Sequence, residues 1–155
     1  MAIFARILVP FDGSPAADRA LDVARRLASE SGGAPATVLV CHAADLSSAV
    51  SVTDRSADPA SLAPIDQYRA EAQALVDAAV SGLALAGIPA EGMVLDGHPV
   101  DAIVRFAQQW KPDAIVMGSH GRSGVARLVL GSTAEGVLRH ADVPVVVVRD
   151  PHDAS

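Results

Sequence analysis

The feature that most limits how this chain can fold is an alternation. Short, wholly apolar runs are separated by longer stretches that are apolar only at helical spacing. Ile7-Leu8-Val9-Pro10-Phe11 is the first run, and it ends at Asp12-Gly13-Ser14-Pro15. A segment apolar at every position is buried on both faces, which is the habit of a parallel strand. Ser14 and Pro15 have the chemistry of a helix N-cap and a first helical residue. Ala17, Leu21, Ala24 and Leu27-Ala28 then recur at helical spacing until Gly32-Gly33 and Pro35.

The pattern repeats along the chain. Thr37–Cys41 reads as a second strand, and Tyr68, Ala72, Leu75-Val76, Ala79 and Leu83 read as one face of a helix ending at Gly87 and Pro89. Met93–Leu95 is a third strand. His98-Pro99 opens a helix carrying Val100, Ile103-Val104, Ala107 and Trp110, stopped by Pro112. Ala114–Met117 is a fourth strand, followed by a glycine-studded loop, a helix from Ser132 to Ala141 and a last strand from Val143 to Val148. Strict alternation with right-handed crossovers predicts an α/β fold: a doubly wound, five-stranded parallel sheet with helices on both faces.

No internal repeat or linker interrupts this order, and 155 residues are one domain's worth, so a single domain over 1–155 is expected. The stretch from about 45 to 63 is polar, rich in Ser, Asp and Pro, and aperiodic. It is expected to be flexible, either as a mobile lid or as plain disorder.

Charge and cysteine usage remove several function classes. With aromatics at 3% the chain cannot offer a stacking platform to single-stranded nucleic acid, and a net charge of −6 argues against a broad duplex-binding surface. The single cysteine, Cys41, cannot form an internal disulfide or a cysteine-based zinc site. No stretch approaches the ~18 consecutive apolar residues of a membrane span. The apolar N-terminus is broken by Arg6 and Asp12, so a soluble, cytoplasmic protein is expected.

In such sheets ligands bind outside the carboxyl ends of the strands, where strand order reverses. The residues at those ends are Asp12, Cys41-His42, Asp96-Gly97-His98 and Gly118-Ser119-His120-Gly121. The last group is the most informative, because nine residues later comes Gly131-Ser132-Thr133 at a helix start. Glycines at 118 and 121 let backbone N–H groups approach an anion. The helix start adds N–H donors and a favourable dipole, and the Ser132 and Thr133 hydroxyls add hydrogen bonds. The same residues admit a purely local reading, since Ser132 and Glu135 have capping-box spacing and the glycines can serve a tight loop. Asp12 is likewise either a ligand contact or a turn-former bonded to the backbone after it. Neither a Walker A loop nor a dinucleotide fingerprint is present. Three histidines, His42, His98 and His120, lie near strand ends. They leave open a metal site of His42, Asp12 and His120, set against loop and cap roles for His120 and His98.

Taken together, the spacing Gly118-x2-Gly121-x9-Gly131-Ser132 resembles the ATP-binding signature of the universal stress protein family. Ile7 to Ser14 resembles that family's first strand and turn, Ile115 to Arg122 its fourth strand and loop, and Val143 to Arg149 its last strand. The resemblance covers nearly the whole chain except about 45 to 64. It implies the ATP-binding subclass, a strand order of 3-2-1-4-5, and a crevice between strands 1 and 4. In that order strands 3 and 4 lie about 14 Å apart, too far for His98 and His120 to share an ion.

The resemblance also implies a set of contacts. Adenine would lie near Pro10, Phe11 and the backbone of Val40, with Asp12 at the ribose or adenine edge and Met117 lining the pocket. Gly118, Gly121, Gly131, Ser132 and Thr133 would hold the phosphates, with Arg122 reaching them. Magnesium would bridge the phosphates, using them and water for most of its ligands. A homodimer through Val143 to Val148 is implied as well, and it agrees with the apolar character of that edge strand.

The function implied is an ATP-dependent stress-response or regulatory module. An ATPase or phosphotransferase is the alternative, as is a cyclic-nucleotide-binding module of the same fold. Efficient phosphoryl transfer needs a charge clamp and a positioned base, and the only lysine, Lys111, precedes Pro112 at the wrong edge of the sheet. A phosphoacceptor receiver is disfavoured too. Asp96 is suggestively placed, but only one acid, Asp12, follows strand 1, and Arg149 stands where a receiver has lysine after strand 5.

Overall fold

The computed structural model describes residues 3–46, 63–120 and 130–150. The elements run β1 (Arg6–Pro10), α1 (Pro15–Ser29), β2 (Thr37–Ala44), α2 (Ala63–Leu85) and β3 (Ala90–Asp96). They continue with α3 (Pro99–Trp110), β4 (Ala114–Gly118), α4 (Ser132–His140) and β5 (Val145–Val148). The five strands form one sheet in the order β3-β2-β1-β4-β5, and every pairing is parallel. This is the doubly wound α/β architecture expected from the alternation. Of the stretch from 45 to 63, residues 47–62 lie outside the described residues, and Ala63 already opens α2.

Alternate residues of an inner strand point to opposite faces, and helices cover both. Ile7, Val9, Val38, Val40 and Val116 pack with alanines of α1 and with Val76, Ala79 and Leu83 of α2. Leu8, Leu39, Cys41, Ile115 and Met117 pack with Ala102, Ile103 and Ala107 of α3 and with Ala134 and Val137 of α4. The buried side of α1 is all alanine (Ala16, Ala17, Ala20, Ala24 and Ala28), so this helix can lie close against the sheet. Its start is defined by Ser14, whose Oγ accepts the Ala17 N–H at 3.2 Å, with Pro15 at the first helical position.

Element limits differ from the sequence expectation where polar residues or proline intervene. β2 continues to Ala44, three residues past the apolar run. β5 starts at Val145 because Pro144 has no N–H to give the ladder, although its carbonyl still accepts from Ile115 at 2.9 Å. Tyr68, expected on the inner face of α2, is 37% exposed, whereas Ala72, Val76, Ala79 and Leu83 are buried.

At the amino edge of the sheet Asp113 ties β4 to β1. Its carboxylate accepts the backbone N–H groups of Ala5 at 2.7 Å and Arg6 at 2.9 Å, and its own N–H donates to the Arg6 carbonyl at 2.8 Å. Nearby, Trp110 stacks on Phe106 with ring centroids 6.4 Å apart, and the Arg6 guanidinium lies 5.7 Å from the Trp110 ring. Lys111 caps α3 at this same edge in a left-handed conformation. The two N–H groups on Asp113, helped by Arg6, hold its carboxyl below the usual aspartate range. A depressed value means the contribution is present above the ordinary aspartate pKa and lost as pH falls through the folded one. Asp113→Ala is expected to cost about 1 kcal/mol at pH 7, a figure discounted for the exposure of the group. The gap from wild type should close in acid, and denaturant titrations at several pH values will measure it.

Candidate functional site

Chain direction creates an opening at the carboxyl edge. β1 is followed by α1 on one face and β4 by the connection to α4 on the other, so the two central strands part company as they leave the sheet. A cavity of about 520 Å³ lies there, within the range of small-molecule sites. Pro10, Phe11 and Asp12 form one wall, and Cys41, His42 and Ala43 from the end of β2 extend it. Met117, Gly118, Ser119 and His120 form the floor at β4. Leu130, Gly131, Ser132, Thr133, Ala134 and Glu135 close the far side, with Pro99 and Ile103 of α3 behind them.

Two glycines make this arrangement sterically feasible. A Cβ on Gly118 would lie 2.8 Å from the Ala16 backbone carbon and 2.9 Å from its Cβ, so the end of β4 rests directly on the first turn of α1. A Cβ on Gly131 would lie 2.8 Å from the Ser119 carbonyl oxygen. That oxygen accepts the Gly131 N–H at 2.7 Å, which pins the start of α4 to the end of β4. The Gly131 N–H is therefore spent inside the protein. The donors that α4 itself leaves without an intrahelical acceptor are those of its first turn, Ser132, Thr133 and Ala134.

The capping-box reading of Ser132 and Glu135 is not realised. Gly131 is the N-cap, Ser132 is already the first helical residue, and no side chain caps the helix. Glu135 instead pairs with Arg139 one turn on, at 2.9 Å. The Gly131–Ser119 bond sets this frame by fixing where the helix begins. Asp12 forms the turn, its Oδ1 accepting the Ser14 N–H at 2.9 Å, and the residue also lines the cavity. Ser119, almost fully buried, has its Oγ 3.1 Å from His120 Nδ1, and Ser14 Oγ lies 3.5 Å from the His120 carbonyl.

Eight of the residues expected at a ligand therefore meet around one cavity: Pro10, Phe11, Asp12, Met117, Gly118, Gly131, Ser132 and Thr133. Val40 does not. It is fully buried in the core beneath α1 and α2, and the longer β2 puts Cys41, His42 and Ala43 at the cavity in its place. Gly121 and Arg122 lie outside the described residues. The side chain of His98 makes no cap bond to α3, and Asp96 pairs with Arg69 at 3.3 Å on the outer strand β3; neither lines the cavity. Among the described residues no group of three or more His, Cys, Asp or Glu could hold a metal ion. Ile103, Pro99 and Leu130 were not foreseen. Their apolar character reads as core in the sequence, and nothing there separates a core face from a cavity wall.

The cavity wall contains the chain's only thiol, and burial pushes Cys41 up to about 12. The thiol should resist labelling by a disulfide reagent at pH 8 until the protein unfolds, and labelling within seconds would show it open to solvent. Because its folded pKa is raised, stability should fall as pH climbs from about 9 towards 12, where only the unfolded chain readily releases this proton.

A model of the universal stress protein family matches residues 4–149 of the chain. A universal stress protein of Thermus aquaticus is 36% identical over 155 residues, covering 95% of this chain and 100% of its own length. Protein MJ0577 of Methanocaldococcus jannaschii, the subject of a structure-based assignment of biochemical function, superposes with a TM-score of 0.82 at 26% identity, over 96% of this chain and 97% of that one. A universal stress protein solved in complex with cAMP superposes with a TM-score of 0.66 at 28% identity, over 96% and 98% of the two chains. Among the described residues no helix is long and apolar enough to cross a membrane. The chain belongs to the universal stress protein family.

Proposed function

We propose that the chain is an ATP-binding member of this family, a regulatory module of the cytoplasm that responds to nucleotide occupancy and turns ATP over slowly if at all. The observation that carries this reading is the start of α4. Its first-turn donors and the hydroxyls of Ser132 and Thr133 border a cavity of nucleotide-compatible size, pinned there by the Gly131–Ser119 bond. A helix start of this kind favours phosphate without help from a lysine or arginine. Gly118 and Gly131, with Gly121 and Arg122 by resemblance, belong to the phosphate end. Pro10, Phe11, Asp12 and Ala43 then flank the base and sugar, with Met117 between the two ends.

Magnesium fits as a companion of the phosphates rather than as a resident ion. Asp12 and Thr133 line the cavity, but the described residues supply no acidic cluster, so phosphate oxygens and water would provide most of its ligands. The absence of a cationic clamp in the described cavity lining also argues for binding over rapid transfer. An unhydrolysed ligand controls a protein only through different affinities for its conformations.

The decisive measurement is nucleotide released from freshly purified, denatured protein, paired with melting shifts against ATP, ADP, AMP and cAMP with magnesium. ATP at one hundred times its dissociation constant should add about 2.7 kcal/mol, or roughly 5 to 10 °C. Gly131→Val, which drives a side chain into the Ser119 carbonyl, should abolish the shift. Thr133→Val should weaken binding several-fold without disturbing the fold. No nucleotide and no shift in the wild-type protein would overturn the reading, and a response to cAMP alone would move it to a cyclic-nucleotide module.

We also propose a homodimer through the last strand. Val145, Val146 and Val147 are only half-buried at the sheet edge, leaving an apolar strand with unsatisfied pairing capacity. Val146→Asp should yield monomers or insoluble protein. An unchanged dimer by light scattering would exclude this interface.

A further inference from the structure

The wall formed by Phe11 and Asp12 is held by a bond that ordinary strand pairing does not provide. β1 ends at Pro10, the register partner of Cys41. Proline has no N–H, and its place in the strand faces β4, so pairing toward β4 loses a donor just where the cavity begins. Toward β2 the ladder runs one bond further, with Phe11 donating its N–H to the Cys41 carbonyl at 2.7 Å. The Phe11 carbonyl in turn lies 2.8 Å from Nδ1 of His42. A carbonyl only accepts, so Nδ1 carries a proton whether the ring is neutral or charged. The imidazole thus acts as a substitute backbone donor at the last point before the chain turns through Asp12 into α1.

The same ring borders a second space. A cavity of about 320 Å³ between the end of β2 and α2 is lined by His42 together with Tyr68, Glu71 and Leu75. His42 also lines the larger cavity, so its ring serves as a partition as well as a clamp.

We infer that His42 is a positioning residue for the base-and-sugar end of the ligand, acting through the Phe11 carbonyl rather than by contact with phosphate. This rests on the nucleotide reading above and adds to it a division of labour. The start of α4 and the end of β4, which form the phosphate end, are held by the Gly131–Ser119 bond and by packing on Ala16, not by His42. Loss of the clamp should therefore weaken recognition of adenosine while leaving recognition of a bare phosphate chain intact.

The test compares wild type, His42→Ala and His42→Asn by calorimetry against ATP, adenosine and inorganic tripolyphosphate. The asparagine amide nitrogen can reach the place of Nδ1 and restore the donor without the ring. His42→Ala should bind ATP and adenosine about tenfold more weakly, the scale of one lost hydrogen bond, and tripolyphosphate within about twofold of wild type. His42→Asn should recover most of the loss. The proposal is overturned if His42→Ala binds ATP like wild type, if it loses tripolyphosphate to the same degree, or if His42→Asn is no better than His42→Ala. Long-range proton–nitrogen spectra of the imidazole give a readout independent of any ligand. A neutral ring protonated on Nδ1 supports the clamp, and one protonated on Nε2 overturns it. If wild type binds neither ATP nor adenosine, the nucleotide reading itself falls and this role with it, while the spectra still report on the bond.

Discussion

The carboxyl edge of this molecule depends on how closely α1 can approach β4. Five alanines on the buried side of the helix and a glycine at the end of the strand leave backbone almost against backbone. Interiors pack at the density of organic crystals, and a single added carbon at Gly118 has nowhere to go. That contact sets the height of Ser14 and Asp12 above the sheet. It also brings the end of β4 to the level where the Ser119 carbonyl meets Gly131. The two chain turns that bound the cavity, one entering α1 and one entering α4, are therefore placed by the same packing event.

Much of this was readable in advance because parallel strands buried on both faces leave an unmistakable trace. Ile7 to Phe11 and Ala114 to Met117 could hardly be anything else; crossover handedness then implied a parallel sheet covered on both faces, and the family resemblance supplied its strand order. The trace fails where burial on both faces ends. His42, Ala43 and Ala44 continue β2, yet a histidine interrupts the apolar run, so the pattern ends three residues early, and Val40, named through the family resemblance alone, lies in the core. The local alternative for Ser132 fails for another reason. S-x-x-E spacing is a local rule, and it lost to a long-range bond between Gly131 and Ser119 that no local pattern encodes. Ile103 and Leu130 show the third limit: an apolar side chain beside a cavity and one inside a core are identical as letters.

The candidate site is electrically economical. A chain of net charge −6 carries a cavity bordered by Asp12 and Glu135, and no lysine or arginine is among its described lining. Among the described residues, attraction for an anion comes from the oriented backbone dipoles at the start of α4, which are fixed by the fold and need no counter-ion to be removed first. This part of the site is held by rigid backbone rather than by long side chains. Its fidelity depends on backbone placement to fractions of an ångström, which is why Gly131, the alanines of α1 and the Phe11 carbonyl matter more here than surface charge.

The sole tryptophan gives the molecule a built-in optical asymmetry. Trp110 sits at the amino edge, stacked on Phe106 and beside the Arg6 guanidinium, with the length of the sheet between it and the cavity. Its emission will follow the integrity of the fold and stay silent to events confined to the opposite rim. Any spectral change that accompanies ligand addition must therefore have travelled from one end of the fold to the other, and α3, with Pro99 and Ile103 at the cavity and Trp110 at its far end, is a direct route.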